Sequence, residues 1–279
     1  MGDNQNAALS IDTRGFLVIL QRLATSIRKQ DWFTVGIETL IVIFGVFIGL
    51  QVNNWNEARR DRIQAETSRE RLIADLRADL DAFAIRRQWY EEVLEAALRV
   101  DDALRSDPPE TVDETWRFVR DSWIAGGEWP FALSAQIYKE LQNAGDLDLI
   151  AGGSMQRRLR DYYEDSAHEI EISLTFRSAY ADLVHQLIEG RVGMLMADCL
   201  SAASLEPSSP GTTPATFYKD CQPPDDFALV MRSTASLRES AAFRSQLNAR
   251  LNRLSGLRSL LEYLDRQAAS LVSDLETTR

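Results

Sequence analysis

WFTVGIETLIVIFGVFIGLQVNNWNE, running from Trp32 to Glu57, is the stretch from which the rest of the chain is read. From Val35 to Val52 it is apolar apart from Glu38 and Thr39 near one end and Gln51 at the other. At helical rise such a run covers roughly 27 Å, close to the ~30 Å hydrocarbon core of a bilayer. Trp32 and Trp55 bracket it, as amphipathic indoles do at the two membrane interfaces. A core helix of a soluble protein could carry the same run, but it gives no reason for the flanking Trp pair. The reading is therefore a single transmembrane helix over residues 32–57.

One side of that helix is unlike the others. At about 100° per residue, Glu38, Val42, Gly45, Gly49 and Asn56 share a narrow stripe, with Val52 and Asn53 at its edge. Gly45 and Gly49 form a GxxxG, whose missing side chains let a second helix approach closely. An ionised Glu38 facing lipid would cost on the order of 3 kcal/mol at mid-bilayer, and less near an end. Acid and small residues on one side point to a protein-facing surface made of Glu38, Val42, Gly45, Gly49, Asn53 and Asn56. Its expected partner is a second copy of the chain or another membrane protein. The alternative is a Glu38 that snorkels to the near interface beside ordinary membrane-helix glycines.

Residues 1–31 form a polar tail followed by Phe16, Ile19, Leu20, Leu23 and Ile27 at helical spacing. This suits an amphipathic helix lying in the membrane interface, or a docking helix for a partner. No small-x-small cleavage site follows the apolar run, so it is expected to remain as an anchor. Arginines stand on both sides of the span. The short tail carries more weight than the long C-terminal part, and the N-terminus is expected in the cytoplasm.

Beyond Trp55 the pattern turns charged but stays helical. Ile63, Leu72, Leu76, Leu80, Phe83, Tyr90, Val93 or Leu94, and Ala97 or Leu98 make an apolar stripe that runs to Pro108-Pro109. A coiled coil is the alternative to bundle packing here, though the stripe drifts from strict heptads. Residues 110–125 read as a second helix with Trp116, Val119 and Trp123 on one face, closed by Gly126-Gly127. A third helix ends at Gly145, after which leucines pack back. Residues 155–189 read as one long helix ended by Gly190 and Gly193. Gly152-Gly153-Ser154 reads as a turn with a serine N-cap. Residues 201–216 are a Pro/Ser/Thr/Gly loop. Residues 235–275 are helical, broken near Ser240. The fold class is all-α: the transmembrane helix continues into an antiparallel helical bundle, residues 58–279, outside the membrane.

Two motifs carry a resemblance. Glu38, Gly45, Gly49 and Leu50-Gln51-Val52-Asn53-Asn54-Trp55-Asn56-Glu57 form one, and Tyr138-Lys139-Glu140-Leu141-Gln142-Asn143-Ala144-Gly145-Asp146-Leu147 the other. The chain resembles a bacterial family of single-span membrane proteins, a domain of unknown function, whose members read G-E-I…L-Q-I-N-N-W-N-E and later Y-x-E-L-x-x-S-G-x-L-x-L-I. Here Ile37 precedes the acid, with Gly36 one place earlier, and Ala144 replaces the Ser. The resemblance implies the architecture and the bacterial cytoplasmic membrane as its place, and it supplies no reaction.

The 279 residues carry a net charge of −11, which argues against nucleic acid as a partner, because phosphate contacts need clustered Lys and Arg. Of the two cysteines, Cys199 and Cys221, neither fits a zinc motif. They flank the irregular loop and are read as a disulfide, which requires a C-terminal part in an oxidising compartment; two free thiols are the alternative. His168 and His185 both follow an Asp in D-x-x-H, but on one helix they would stand about 25 Å apart and could not share a metal. Glu164, His168 and Glu171 read as solvated charge. GxSxG, Walker and HExxH signatures are missing, so no metal, cofactor or enzymatic activity is expected. The expected function is a membrane-anchored scaffold or accessory subunit acting through protein–protein contact. An extracytoplasmic ligand-sensing bundle that signals through a partner is the alternative.

Overall fold

Nothing between Trp32 and Arg105 interrupts a helix: no Pro occurs, and Pro108-Pro109 waits just beyond. In the structure, a computed structural model that describes residues 32–170, 173, 178–203, 218 and 221–277, this whole stretch is one 74-residue helix, α1 (Trp32–Arg105). It is followed by α2 (Val112–Ala125), α3 (Gln136–Ala144), α4 (Leu147–Ile150), α5 (Gly153–Arg160), a π-helical turn (Asp161–Asp165), α6 (Ser166–Ile170), α7 (Ala179–Leu187), α8 (Gly190–Ala203), α9 (Phe227–Glu239) and α10 (Ala241–Thr277). The described residues contain no strand, and the fold class is all-α. By its contacts the chain divides into two units, Met1–Ile63 and Gln64–Arg279.

In the first unit, α1 holds its side chains from Gly36 to Ile63 in the open, Ile41 at 65% and Phe47 at 56% exposure. It is the one helix among the described residues long and apolar enough to cross a membrane. The amphipathic segment expected within residues 1–31 lies outside the described residues.

The second unit has one shared core. From α1 it takes Leu72, Leu76, Phe83, Tyr90, Val93 and Ala97, and from α10 Leu247, Leu254, Leu257, Leu261, Leu264, Ala268 and Leu271. Helix α9 packs on α2 and α7, and α10 on α5 and α7. Ion pairs join α1 to α10 at Arg77–Glu276 (2.5 Å) and Arg87–Asp265 (3.5 Å). Thr111 and Glu114 close a capping box at the start of α2, each side chain taking the other's backbone N–H.

Between α2 and α3 lies a non-helical strap, residues 126–135, whose backbone polar groups need partners outside any helix. One line of α1 supplies them. Tyr90 Oη accepts from Trp129 N–H at 3.1 Å, Arg86 donates to the Pro130 carbonyl at 3.3 Å, and Asp79 Oδ1 accepts from Ser134 N–H at 2.8 Å. Asp75 takes the Ile137 N–H at the start of α3, at 3.4 Å. Between these polar ties, Phe131 meets Phe83 edge-on at 5.4 Å, and the Arg86 guanidinium stands 4.3 Å from the Phe131 ring and 4.9 Å from Trp129. From the far side Arg250, 2% exposed, donates to the carbonyls of Ala125 (2.9 Å) and Gly127 (2.7 Å) and reaches Glu128 at 3.4 Å. Glu128 in turn accepts the Ser178 N–H at 2.9 Å.

Several boundaries differ from those the sequence suggests. The long helix expected over 155–189 is broken: Ser178 is extended (φ −75°, ψ 140°) and caps α7 through its side chain, and Ile188 is extended again (φ −84°, ψ 136°). Tying Ser178 N–H to Glu128 is a tertiary demand that helical periodicity cannot register. Gly190 opens α8 instead of closing a helix, and Gly193 lies within it, where an added Cβ would stand 3.5 Å from the Trp123 ring. The cap of α5 is Gly152, not Ser154. Residues 201–203 belong to α8, and most of the irregular loop expected at 201–216 lies outside the described residues. Ile63, placed in the buried stripe, is 58% exposed; of the pair Ala97 or Leu98, Ala97 is the buried one and Leu98 is 48% exposed. After the left-handed Gly145 (φ 76°), Ile150 is buried while Leu149 is 39% exposed. The break at Ser240 is present, but helix begins earlier, at Phe227.

Gly127 is the tightest point of the strap: a Cβ there would stand 2.4 Å from the buried Trp89 ring and 2.9 Å from the Ile124 carbonyl oxygen. Gly127→Ala is expected to cost about 2 kcal/mol in denaturant unfolding, as overpacking does. Gly152→Ala, which meets nothing within 4 Å, is expected to be nearly neutral.

Candidate transmembrane interface

Each residue expected on the contact face lies on α1 within the first unit, and all of them are exposed: Glu38, Val42, Gly45, Gly49, Asn53 and Asn56. A Cβ added at Gly45 or Gly49 would meet nothing within 4 Å. A helix brought against this side would therefore meet bare backbone over one turn, bordered by Val42 and capped by carboxyl and amide groups. Thr39 is not part of this polar set. Its hydroxyl donates to the Val35 carbonyl at 2.8 Å, closing its hydrogen bond inside the helix.

Ile63 lies outside the core, unlike the rest of the stripe to which its spacing assigned it. At 3.6 residues per turn it returns to the line of Gly45, and its 58% exposure separates it from the core stripe that begins with Leu72. The sequence signal was present, since Ile63 stands apart from Leu72 by more than two turns. It was read as the first core residue because apolar periodicity alone does not say which side is covered.

Cys199 on α8 and Cys221 are joined by a disulfide, with Cα atoms 5.9 Å apart. The segment around Cys221 is held by the Trp face of α2: Trp116 Nε1 donates to the Cys221 carbonyl at 2.8 Å, and Trp123 Nε1 to the Tyr218 hydroxyl at 3.3 Å. Tyr218 and Cys221 are each 5% exposed. Burial pushes the Tyr218 hydroxyl above the usual tyrosine value, so it remains a neutral partner for Trp123.

His168 and His185 do not share a helix as expected; they lie on α6 and α7, with the Ser178 break between them. His185 stacks on Trp123, ring centroids 4.4 Å apart. No group of three His, Cys, Asp or Glu side chains suited to a metal ion occurs among the described residues. Glu164 accepts from Tyr138 Oη and Gln142 Nε2, both at 2.8 Å, which holds its carboxyl below the usual range; Glu171 lies outside the described residues.

Alkylation of membranes holding the full chain is expected to label neither cysteine until a reductant is added, read by mass shift. Cys199→Ser is expected to lower stability by about 3 kcal/mol on the chain-entropy account of loop closure. Compared with known protein families, with curated proteins and with solved structures, the chain matches none.

Proposed function

We propose that this chain is a membrane-anchored helical scaffold or accessory subunit that works through protein–protein contact. Its span crosses a bacterial cytoplasmic membrane with the N-terminus inside, and residues 58–279 form an antiparallel bundle on the outer side. The observation that carries this reading is the exposed stripe of Glu38, Val42, Gly45, Gly49, Asn53 and Asn56 on an otherwise apolar helix. In lipid, polar and small residues on one side gain from a facing helix and lose from acyl chains. The resemblance to the single-span family points the same way.

Two further observations support the arrangement outside the membrane. Arg77 pairs with Glu276 and Arg87 with Asp265, so partners on α10 descend in number as those on α1 rise, which is the signature of opposed helices. The Cys199–Cys221 disulfide fits a compartment where such bonds persist.

A second reading, a ligand-sensing bundle, draws on a cavity of about 550 Å³ where α1 ends. Val100, Ala103 and Phe118 give it an apolar lining, and Arg99, Arg117 and Arg238 are among its charged groups. Two of those cations are engaged: Arg99 donates twice to Asp121 (2.7 and 3.1 Å), and Arg238 donates to the Ala103 and Ser106 carbonyls (2.7 Å each). That internal pairing favours a structural role for the cavity, and the interaction reading comes first.

In a membrane association reporter, Gly45→Ile and Gly49→Ile are each expected to weaken assembly several-fold. Phe44→Ile and Phe47→Ile, on other sides of the helix, are expected to leave it unchanged. Equal effects on all sides, or none on any, would remove the claim.

A further inference from the structure

Asp75 and Asp79 stand one turn apart on α1, both turned to the strap and the start of α3. Asp79 is 1% exposed; its Oδ1 accepts the Ser134 N–H and its Oδ2 the Tyr162 hydroxyl, each at 2.8 Å. The groups that act on it are Ser134 from the strap, Tyr162 from the π-helical turn and Asp75 from its own helix, none of them a cation. Asp75 faces the Ile137 N–H and Glu140 from α3, and Arg71 from α1; that arginine donates to Glu140 at 3.1 Å.

The π-helical turn places a second tyrosine in the same cluster. Tyr163 is 4% exposed, stacked on Tyr138 (4.8 Å) and edge-on to Tyr162 (4.9 Å). Its hydroxyl lies in the field of both carboxylates, yet it is buried without a hydrogen-bond partner. The buried carboxylate has no cation to hold its charge, and the orphaned hydroxyl in its field has lone pairs open to a further donor. Solvent has a way in, because a cavity of about 680 Å³ is lined by Asp75, Ser134, Lys139 and Glu140.

We propose that Asp75, Asp79 and Tyr163 form a proton-binding site, and that uptake of one proton from solvent seats the strap more firmly on α1. Neutral Asp79 keeps the Ser134 N–H on Oδ1; the Tyr162 O–H turns away from Oδ2, and the Tyr162 oxygen accepts the new Oδ2–H. No bond to the chain forms or breaks other than this O–H. The ligand is the proton itself, and the device is independent of the contact along the span.

Desolvation, the largest influence on both, raises the Asp75 and Asp79 carboxyls above the ordinary 3.8. The sign follows from linkage. A raised value means that the folded state holds the proton more tightly than the unfolded chain does. The resulting stabilisation is full below 3.8 and is lost as pH rises through the raised folded values. Glu114 and Glu164 are lowered by hydrogen bonds and work in the opposite sense, so comparison of variants isolates the pair.

The test is hydrogen exchange by mass spectrometry on the full chain in detergent micelles, following the peptide over residues 128–137 from about pH 3.5 to about pH 8 after correction for intrinsic rates. The wild type is expected to show several-fold greater protection at the acid end. Asp79→Asn keeps an acceptor for Ser134 and gains a donor for Tyr162, so its protection should be high and flat. Tyr163→Phe, which preserves the ring packing, should move the wild-type midpoint to lower pH. A flat wild-type profile, an Asp79→Asn profile with the wild-type midpoint, or an unmoved midpoint in Tyr163→Phe would each overturn the proposal.

Discussion

Residues 126–135 leave the helical ladder, and their backbone groups must find partners within a domain otherwise built of helices. That requirement shapes the second unit. It explains why α1 carries Asp75, Asp79, Phe83, Arg86 and Tyr90 along one line: polar ends meet strap amides and carbonyls, and rings fill the spaces between. It also explains why Arg250 stands in the core of an all-α domain. Its guanidinium takes the carbonyls that close α2, where an uncapped buried helix end would leave unsatisfied acceptors. Burial lowers the Arg250 value, but Glu128 and three hydrogen bonds offset that cost. Removing one partner would leave a buried charge uncompensated, which typically costs several kcal/mol.

The strap also propagates outward. Glu128, held by Arg250, takes the Ser178 N–H and so sets where α7 begins; α7 packs on α2 and α10. Trp123 of α2 then stacks on His185 of α7 and ties Tyr218 next to the disulfide. Gly127, against the Trp89 ring, stands at the near end of this set of packed groups. The two units differ in what stabilises them. The second has a dense core and a polar framework; the first leaves large apolar side chains exposed along α1.

The two units carry different groups: an exposed stripe from Glu38 to Asn56 on α1 in the first, and buried ionisable groups in the second. A buried carboxylate without a cation in the strap contacts, Asp79, is costly for a part that only holds shape. Such groups are commonly retained where a change of charge is used.

The periodicity of apolar residues determined the all-α class, the one long apolar helix, and the stop of α1 before Pro108. These depend on local spacing and on residues that forbid helix, both of which are written in order along the chain. The αL glycine at Gly145 and the break at Ser240 were legible for the same reason. The stripe of Glu38, Gly45 and Gly49 was readable because residues at helical spacing share a side wherever the helix forms. What only the tertiary structure decided is where a potential helix is overruled. Ser178 is extended because its N–H is taken by Glu128, fifty residues earlier in the chain. His168 and His185 were placed on one helix because nothing local announces that break. The proton-holding cluster was hidden too, since Asp75, Asp79, Ser134 and Tyr163 lie on three separate segments. Only the fold brings them together and removes the water that would otherwise keep their carboxyls ordinary.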